Sequence, residues 1–167
     1  MSTVSTRQRE LLGQVRERAL AQTDSALAHA IHASPVWGEK DDQLRSTPGV
    51  GPVLTTTLLA NLPELGTVTA KQIAALVGVA PLNRDSGTWR GKRTVWGGRA
   101  QVRATWYRAA VIAARFNLVI RACYQRLCPA GKAMKVARTA CMRKLLIILN
   151  AMLKHRTPWR TALVQCA

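Results

Sequence analysis

Ser86 is the residue whose surroundings point most directly to chemistry. It stands in Asn83-Arg84-Asp85-Ser86-Gly87, and Arg84, Arg90, Lys92 and Arg93 all fall within seven positions of it. A serine hydroxyl attacks a phosphodiester only when a base takes its proton or when cations stabilise the charge that develops in the transition state. Arg99 and Arg103 follow, one helical turn apart and so on one helix face, where they could hold the same or a neighbouring phosphate. Gly87 leaves the serine unhindered. Ser-Gly in a loop is also ordinary turn chemistry, and the residues alone leave both readings open.

A second pattern lies upstream. In "LRSTPGVGPVLTTTLL" two short helices flank Pro48-Gly49-Val50-Gly51, a helix-hairpin-helix arrangement over 44–61. Gly49 and Gly51 permit positive φ and a close backbone approach, and exposed N–H groups at a helix start can grip a phosphate. The alternative is a helical hairpin that only packs. The turn has no Lys or Arg, and Thr55 occupies a position where such hairpins usually have Ala.

Both patterns sit in a chain with a lopsided charge. The 167 residues carry 25 Lys+Arg against 8 Asp+Glu, a formal net charge of +17. Residues 66–167 contain nineteen of the basic groups and a single acid, Asp85, whereas residues 1–65 are close to neutral. So one-sided a balance predicts a polyanionic partner, since each phosphate contact releases counterions. At 48% hydrophobic residues, the chain is not a disordered basic tail.

Other chemistries find less support. Cys123, Cys128, Cys141 and Cys166 lack paired CxxC or zinc spacing, and the first three fall in apolar helical segments, so reduced, packed thiols are expected. His29 and His32 lie one turn apart without a third ligand, and no metal site is expected. The longest apolar run, "LLIILNAML" at 145–153, is too short for a bilayer and flanked by cations. With a polar N-terminus and no secretory pattern, a cytoplasmic protein without membrane contact is expected.

The elements that must position these residues read as mainly α. Apolar spacing predicts a long N-terminal helix over 7–33, broken by "SPVWGEKDD", and then a short helix capped by Asp41 or Asp42 and ending at Ser46. Further helices are predicted at 52–61, at 69–77 (capped by Thr67 or Thr69, ended by Gly78), at 99–118 with a possible continuation to Leu127, and at 133–154. "GVAPLNRDSG" reads as a loop. "TWRGKRTVW" reads as a small hairpin turning at Arg90-Gly91-Lys92. Trp106 and Tyr107 belong to the core or its edge, while Trp89 and Trp96 suit base stacking. Lys132, Lys135, Arg138, Arg143 and Lys144 form a polar face usable for phosphates. The expected organisation is linker helices at 1–45, a domain at 46–160 and a tail at 161–167.

The order of four segments, "STPGVGP", "IAALVGVAPLNRDSG", "RGKRTVWGGRAQVR" and "CYQRL…GKAMKVARTACMRKLLIILNAML", resembles the C-terminal domain of the bridge-RNA-guided serine transposases of bacterial insertion sequences. The resemblance spans about residues 14–160. It implies that Ser86 is the catalytic serine, forming a phosphoserine link to DNA, and that Arg99 and Arg103 are basic positions near it. The linker helices would then make a coiled dimer contact. It further implies DNA and a structured guide RNA as partners, and a homo-oligomer or a complex with full-length transposase. In the family an N-terminal domain with four acids (a DEDD set) precedes this one; Mg²⁺ is expected only with that domain and no cofactor in this chain. The alternative is a non-catalytic DNA- or RNA-binding remnant, or a regulator of intact transposase. Leu118 stands where the family commonly has Pro. Met134 and Arg138 replace a common Lys and an apolar residue, changes that would weaken a phosphate contact and disturb helix packing.

Overall fold

The computed structural model describes residues 6–83, 85–91 and 93–159. Arg84, Lys92 and Cys166 lie outside them, as does the Arg90 side chain. Among the described residues there are seven helices and four two-residue strands, the mainly helical fold expected. The chain divides into two compact units, Met1–Gly38 and Glu39–Ala167, a boundary seven residues ahead of the expected one.

The first unit is built on α1 (Thr6–Ala33), one uninterrupted helix as its lack of internal Pro predicts. Its Leu11, Leu12, Val15 and Leu20 are exposed. The break after it is shorter than expected. α2 runs Pro35–Arg45, because Pro35 occupies a first-turn position where its missing N–H is not needed. The Ser34 carbonyl accepts from Trp37 N (3.1 Å) and Gly38 N (2.9 Å). Asp41 and Asp42 therefore lie inside the helix and do not cap it.

In the second unit, α5 (Ala100–Phe116), α6 (Leu118–Leu127) and α7 (Met134–His155) pack on one another, with α3 (Pro52–Asn61) against α5 and α4 (Ala70–Val77) against α7. Leu145, Leu146 and Leu149 repeat at helical spacing along α7 and are fully buried with Ile73, Trp106 and Ile120. The Trp106 indole Nε1 donates to the Met142 carbonyl at 2.9 Å, so the largest core side chain also meets its polar need. Arg138 does not disturb this packing: its guanidinium donates to the Tyr107 hydroxyl at 2.7 Å and lies 5.8 Å from that ring's centre. Cys123, Cys128 and Cys141 are free thiols, and burial pushes the Cys141 thiol up to about 12.

The long helix expected over 99–118 and beyond is instead two, because Asn117 interrupts it. Its amide is 1% exposed and serves three partners. Oδ1 accepts from Val119 N (3.1 Å) and Ile120 N (3.3 Å), capping α6, while Nδ2 donates to the Pro48 carbonyl at 3.2 Å. Leu118 is thus the first residue of α6. With Asn117 extended at φ −96 and ψ 114, both positions already suit a following proline. Leu118→Pro is expected to fold and to gain about 0.5 kcal/mol by restricting the unfolded chain; a fall in Tm would contradict this.

Candidate nucleic-acid interface

α4 begins with a reciprocal cap. Thr69 Oγ1 accepts from Gln72 N (3.4 Å), and Gln72 Oε1 accepts from Thr69 N (3.0 Å). It ends at Gly78 in the left-handed region, as the sequence predicts. From there the chain enters a nested hairpin. β1 (Pro81–Leu82) pairs antiparallel with β4 (Thr94–Val95), and inside it β2 (Asp85–Ser86) pairs with β3 (Trp89–Arg90), Ser86 opposite Trp89.

This register corrects the sequence reading. The turn is Gly87-Thr88, not Arg90-Gly91-Lys92, and the segment read as a loop supplies both outgoing strands. The physical reason is Gly87. A two-residue hairpin turn needs positive φ at its first central position, and Gly87 has φ 56. Ser86 therefore sits on the ladder immediately before the turn, exposed, and its hydroxyl has no hydrogen-bond partner among the described residues. Trp89 and Trp96, the residues expected to suit stacking, are 66% and 80% exposed.

The foot of the hairpin is locked. Gly98 presses on Gly78 so closely that a Cβ added to Gly98 would lie 2.3 Å from the Gly78 nitrogen. Arg99 N donates to the Leu76 carbonyl at 2.9 Å. The Arg99 guanidinium forms a forked pair with Glu64, Nη1 to Oε2 at 2.9 Å and Nη2 to Oε1 at 2.6 Å, and also donates to the Asn61 carbonyl. Arg103 donates to the carbonyl of Gly97. Arg99 is thus engaged in holding the hairpin foot to α4 and to the segment before it, and Arg103 in holding that foot to α5. Arg103 also lines a cavity of about 440 Å³ with Arg108 and Tyr107. Arg93 is exposed near the hairpin foot.

The two turn glycines behave differently. Gly49 has φ 91, and a Cβ there would lie 2.7 Å from the Ala113 Cα of α5. With Asn117 holding the Pro48 carbonyl, this turn packs against the α5–α6 junction. Gly51, expected to supply positive φ, is extended (φ −106, ψ 175), caps α3 and has open space around it. Among the described residues, no three of His, Cys, Asp and Glu gather closely enough to hold a metal ion.

Sequence reasoning missed Glu64, Gly78 and Gly98 as positioning residues. The signals were there: Glu64 is the sole acid between Asp42 and Asp85, and Gly97-Gly98 directly precedes the basic helix. The Arg99 hydrogen bonds, the largest influence, hold the Glu64 carboxyl below its ordinary value. A lowered carboxyl contributes stability that is present above its unfolded pKa and is lost as pH falls through its folded one. Wild type is therefore expected to melt above Glu64→Gln at neutral pH and to lose that lead below the carboxylate range. A lead that persisted in acid would contradict the ion pair as its source.

With this geometry in view, comparison with known proteins identifies the class. Residues 41–125, just over half of the chain, match the Transposase IS116/IS110/IS902 family. The chain belongs to that family. It is 31% identical over 145 residues to the "Insertion element IS110 uncharacterized 43.6 kDa protein" of Streptomyces coelicolor, across 85% of this chain and 34% of that protein. It is 27% identical over 149 residues to the "Pilin gene-inverting protein" of Moraxella bovis, across 84% of this chain and 45% of that protein. The chain therefore spans between a third and a half of these relatives. None of the helices among the described residues is long and apolar enough to cross a membrane.

Proposed function

We propose that this chain is the serine-bearing part of a DNA transposase or recombinase, and that Ser86 is its nucleophile. The observation that carries the reading is an exposed Ser86 hydroxyl, without a partner among the described residues, on a hairpin beside a glycine turn and in a segment with almost no acids. In the proposed step the Ser86 Oγ–P bond forms as the bond from phosphorus to one flanking deoxyribose oxygen breaks. The serine proton ends on that oxygen, leaving a free hydroxyl terminus and a phosphoserine diester that conserves the bond for rejoining. Arg84, Arg90, Lys92 and Arg93, all within seven positions of Ser86 in the sequence, would offset charge at the phosphorus. Arg99 and Arg103 would act by fixing the hairpin foot. Gly51 would bear on flanking DNA through the α3 N-terminus, whereas Gly49 would act by packing that turn on α5.

The residues described here do not suit a metal, and no step is routed through one. We propose that any metal-dependent chemistry comes from a DEDD domain outside these 167 residues, with a structured guide RNA in the assembly. The exposed Leu11, Leu12, Val15 and Leu20 on α1 would gain from being covered by a second copy or by full-length transposase. A second reading, a binding-only module, is favoured by one observation: no base among the described residues is bonded to Ser86.

Complementation distinguishes the two. A full-length family member with its own serine replaced is supplied with this chain, wild type or Ser86→Ala, and recombination of a target plasmid is scored. Rescue by wild type alone supports the nucleophile. Equal rescue by Ser86→Ala, or none by either despite shown assembly, sinks it.

A further inference from the structure

A groove of about 490 Å³ runs between the hairpin and the N-terminal part of α7. Arg93, Lys132, Lys135 and Arg143 line it, and none of them is in an ion pair among the described residues. Its floor is aliphatic, with Val79 and Val95 from the hairpin side and Val136 from α7. Val136 is more than half exposed, so apolar surface is left open between the cations.

These two features together restrict the occupant. A duplex shows phosphates outward and keeps its bases stacked and paired, so it would satisfy the cations and leave the valines uncovered. An unpaired nucleotide offers both a phosphate and a base face, and the volume lies in the range of sites that enclose small organic groups. Trp96, which follows Val95 directly, is exposed and gives the next base a stacking surface. We infer that this groove binds an unpaired segment of polynucleotide, with phosphates on the four cations and a base on the valine floor. The inference rests on the nucleic-acid reading above and narrows it to single strands. DNA opened during strand exchange and unpaired RNA share this chemistry.

The test is fluorescence anisotropy at fixed salt with four labelled probes: short oligo-dT, oligo-rU, an abasic deoxyribose strand of the same length, and a duplex of equal phosphate count. Val136→Asp is compared with Val36→Asp, which makes the same change at an exposed position on α2, outside the groove and away from the α3 N-terminus. Val136→Asp is expected to weaken single-strand binding about tenfold relative to Val36→Asp, with duplex binding equal in the two. Val136→Ser, which removes apolar surface without adding charge, is expected to weaken oligo-dT or oligo-rU but not the abasic strand. The probe that suffers more identifies the natural source. Equal single-strand affinity in the two Asp variants, or a duplex loss as large as the single-strand loss, overturns the inference. If Val136→Asp fails to reproduce the wild-type circular dichroism, the Ser variant decides. A wild type that binds no probe overturns the nucleic-acid reading itself, and the groove assignment with it.

Discussion

Gly98→Ala is expected to dislodge the hairpin and with it any function of Ser86. Gly98 has φ 70, where an L side chain costs about 1–2 kcal/mol. The added Cβ would also lie 2.3 Å from Gly78 N, 2.6 Å from Gly78 Cα and 2.6 Å from the Val77 carbonyl carbon. All three are backbone atoms of the capped end of α4 and cannot swing aside. The combined loss is expected to be at least about 3 kcal/mol, with Tm lower by roughly 10 °C. Gly97→Ala is the internal control. It has φ 77 but nothing within 4 Å of its would-be Cβ, so only the conformational cost of about 1–2 kcal/mol applies. Thermal melting of the two variants checks the difference. Equal melting points would mean that contact between the two glycine backbones does not hold the hairpin foot.

Trp106→Ala is the second change with a large expected effect. The indole is completely buried between α5 and α7, and its removal empties the centre of the core. Truncation of a buried aromatic costs about 3–5 kcal/mol, and the Met142 carbonyl loses a donor besides. Trp106→Phe keeps most of the volume and is expected to lose clearly less. Denaturant midpoints at unchanged m-value check both. A Trp106→Ala protein as stable as wild type would mean that α5 and α7 are held together elsewhere.

The helices were legible because their signals are local. Pro52 with Asn61, and Thr69 with Gly78, mark the ends of α3 and α4 in the sequence itself. Apolar spacing alone predicted burial of Trp106 and the α7 leucines. What was not legible depends on partners distant in sequence. Asn117 interrupts a helical pattern because its amide meets Pro48, 69 residues away, and the next turn at once. Arg99 read as a phosphate ligand because Glu64, 35 residues upstream, could not be placed beside it from spacing. The hairpin turn was misplaced because Arg90-Gly91-Lys92 and Gly87-Thr88 both have turn composition. Only pairing of Pro81-Leu82 with Thr94-Val95 selects the second. Around Ser86 the residue types were therefore readable, but the frame that presents them was not.

The central claim is that Ser86 bonds covalently to DNA phosphate. It is tested most directly by mixing this chain with a full-length family member whose own serine is replaced, guide RNA, Mg²⁺ and end-labelled target DNA. The products are denatured, digested and analysed by mass spectrometry for a nucleotide on the peptide containing Asp85-Ser86-Gly87. The account predicts a denaturation-resistant labelled adduct of this chain, mapped to Ser86 and absent from Ser86→Ala. An adduct that survives Ser86→Ala, or no adduct where DNA binding and assembly are both demonstrated, would contradict it.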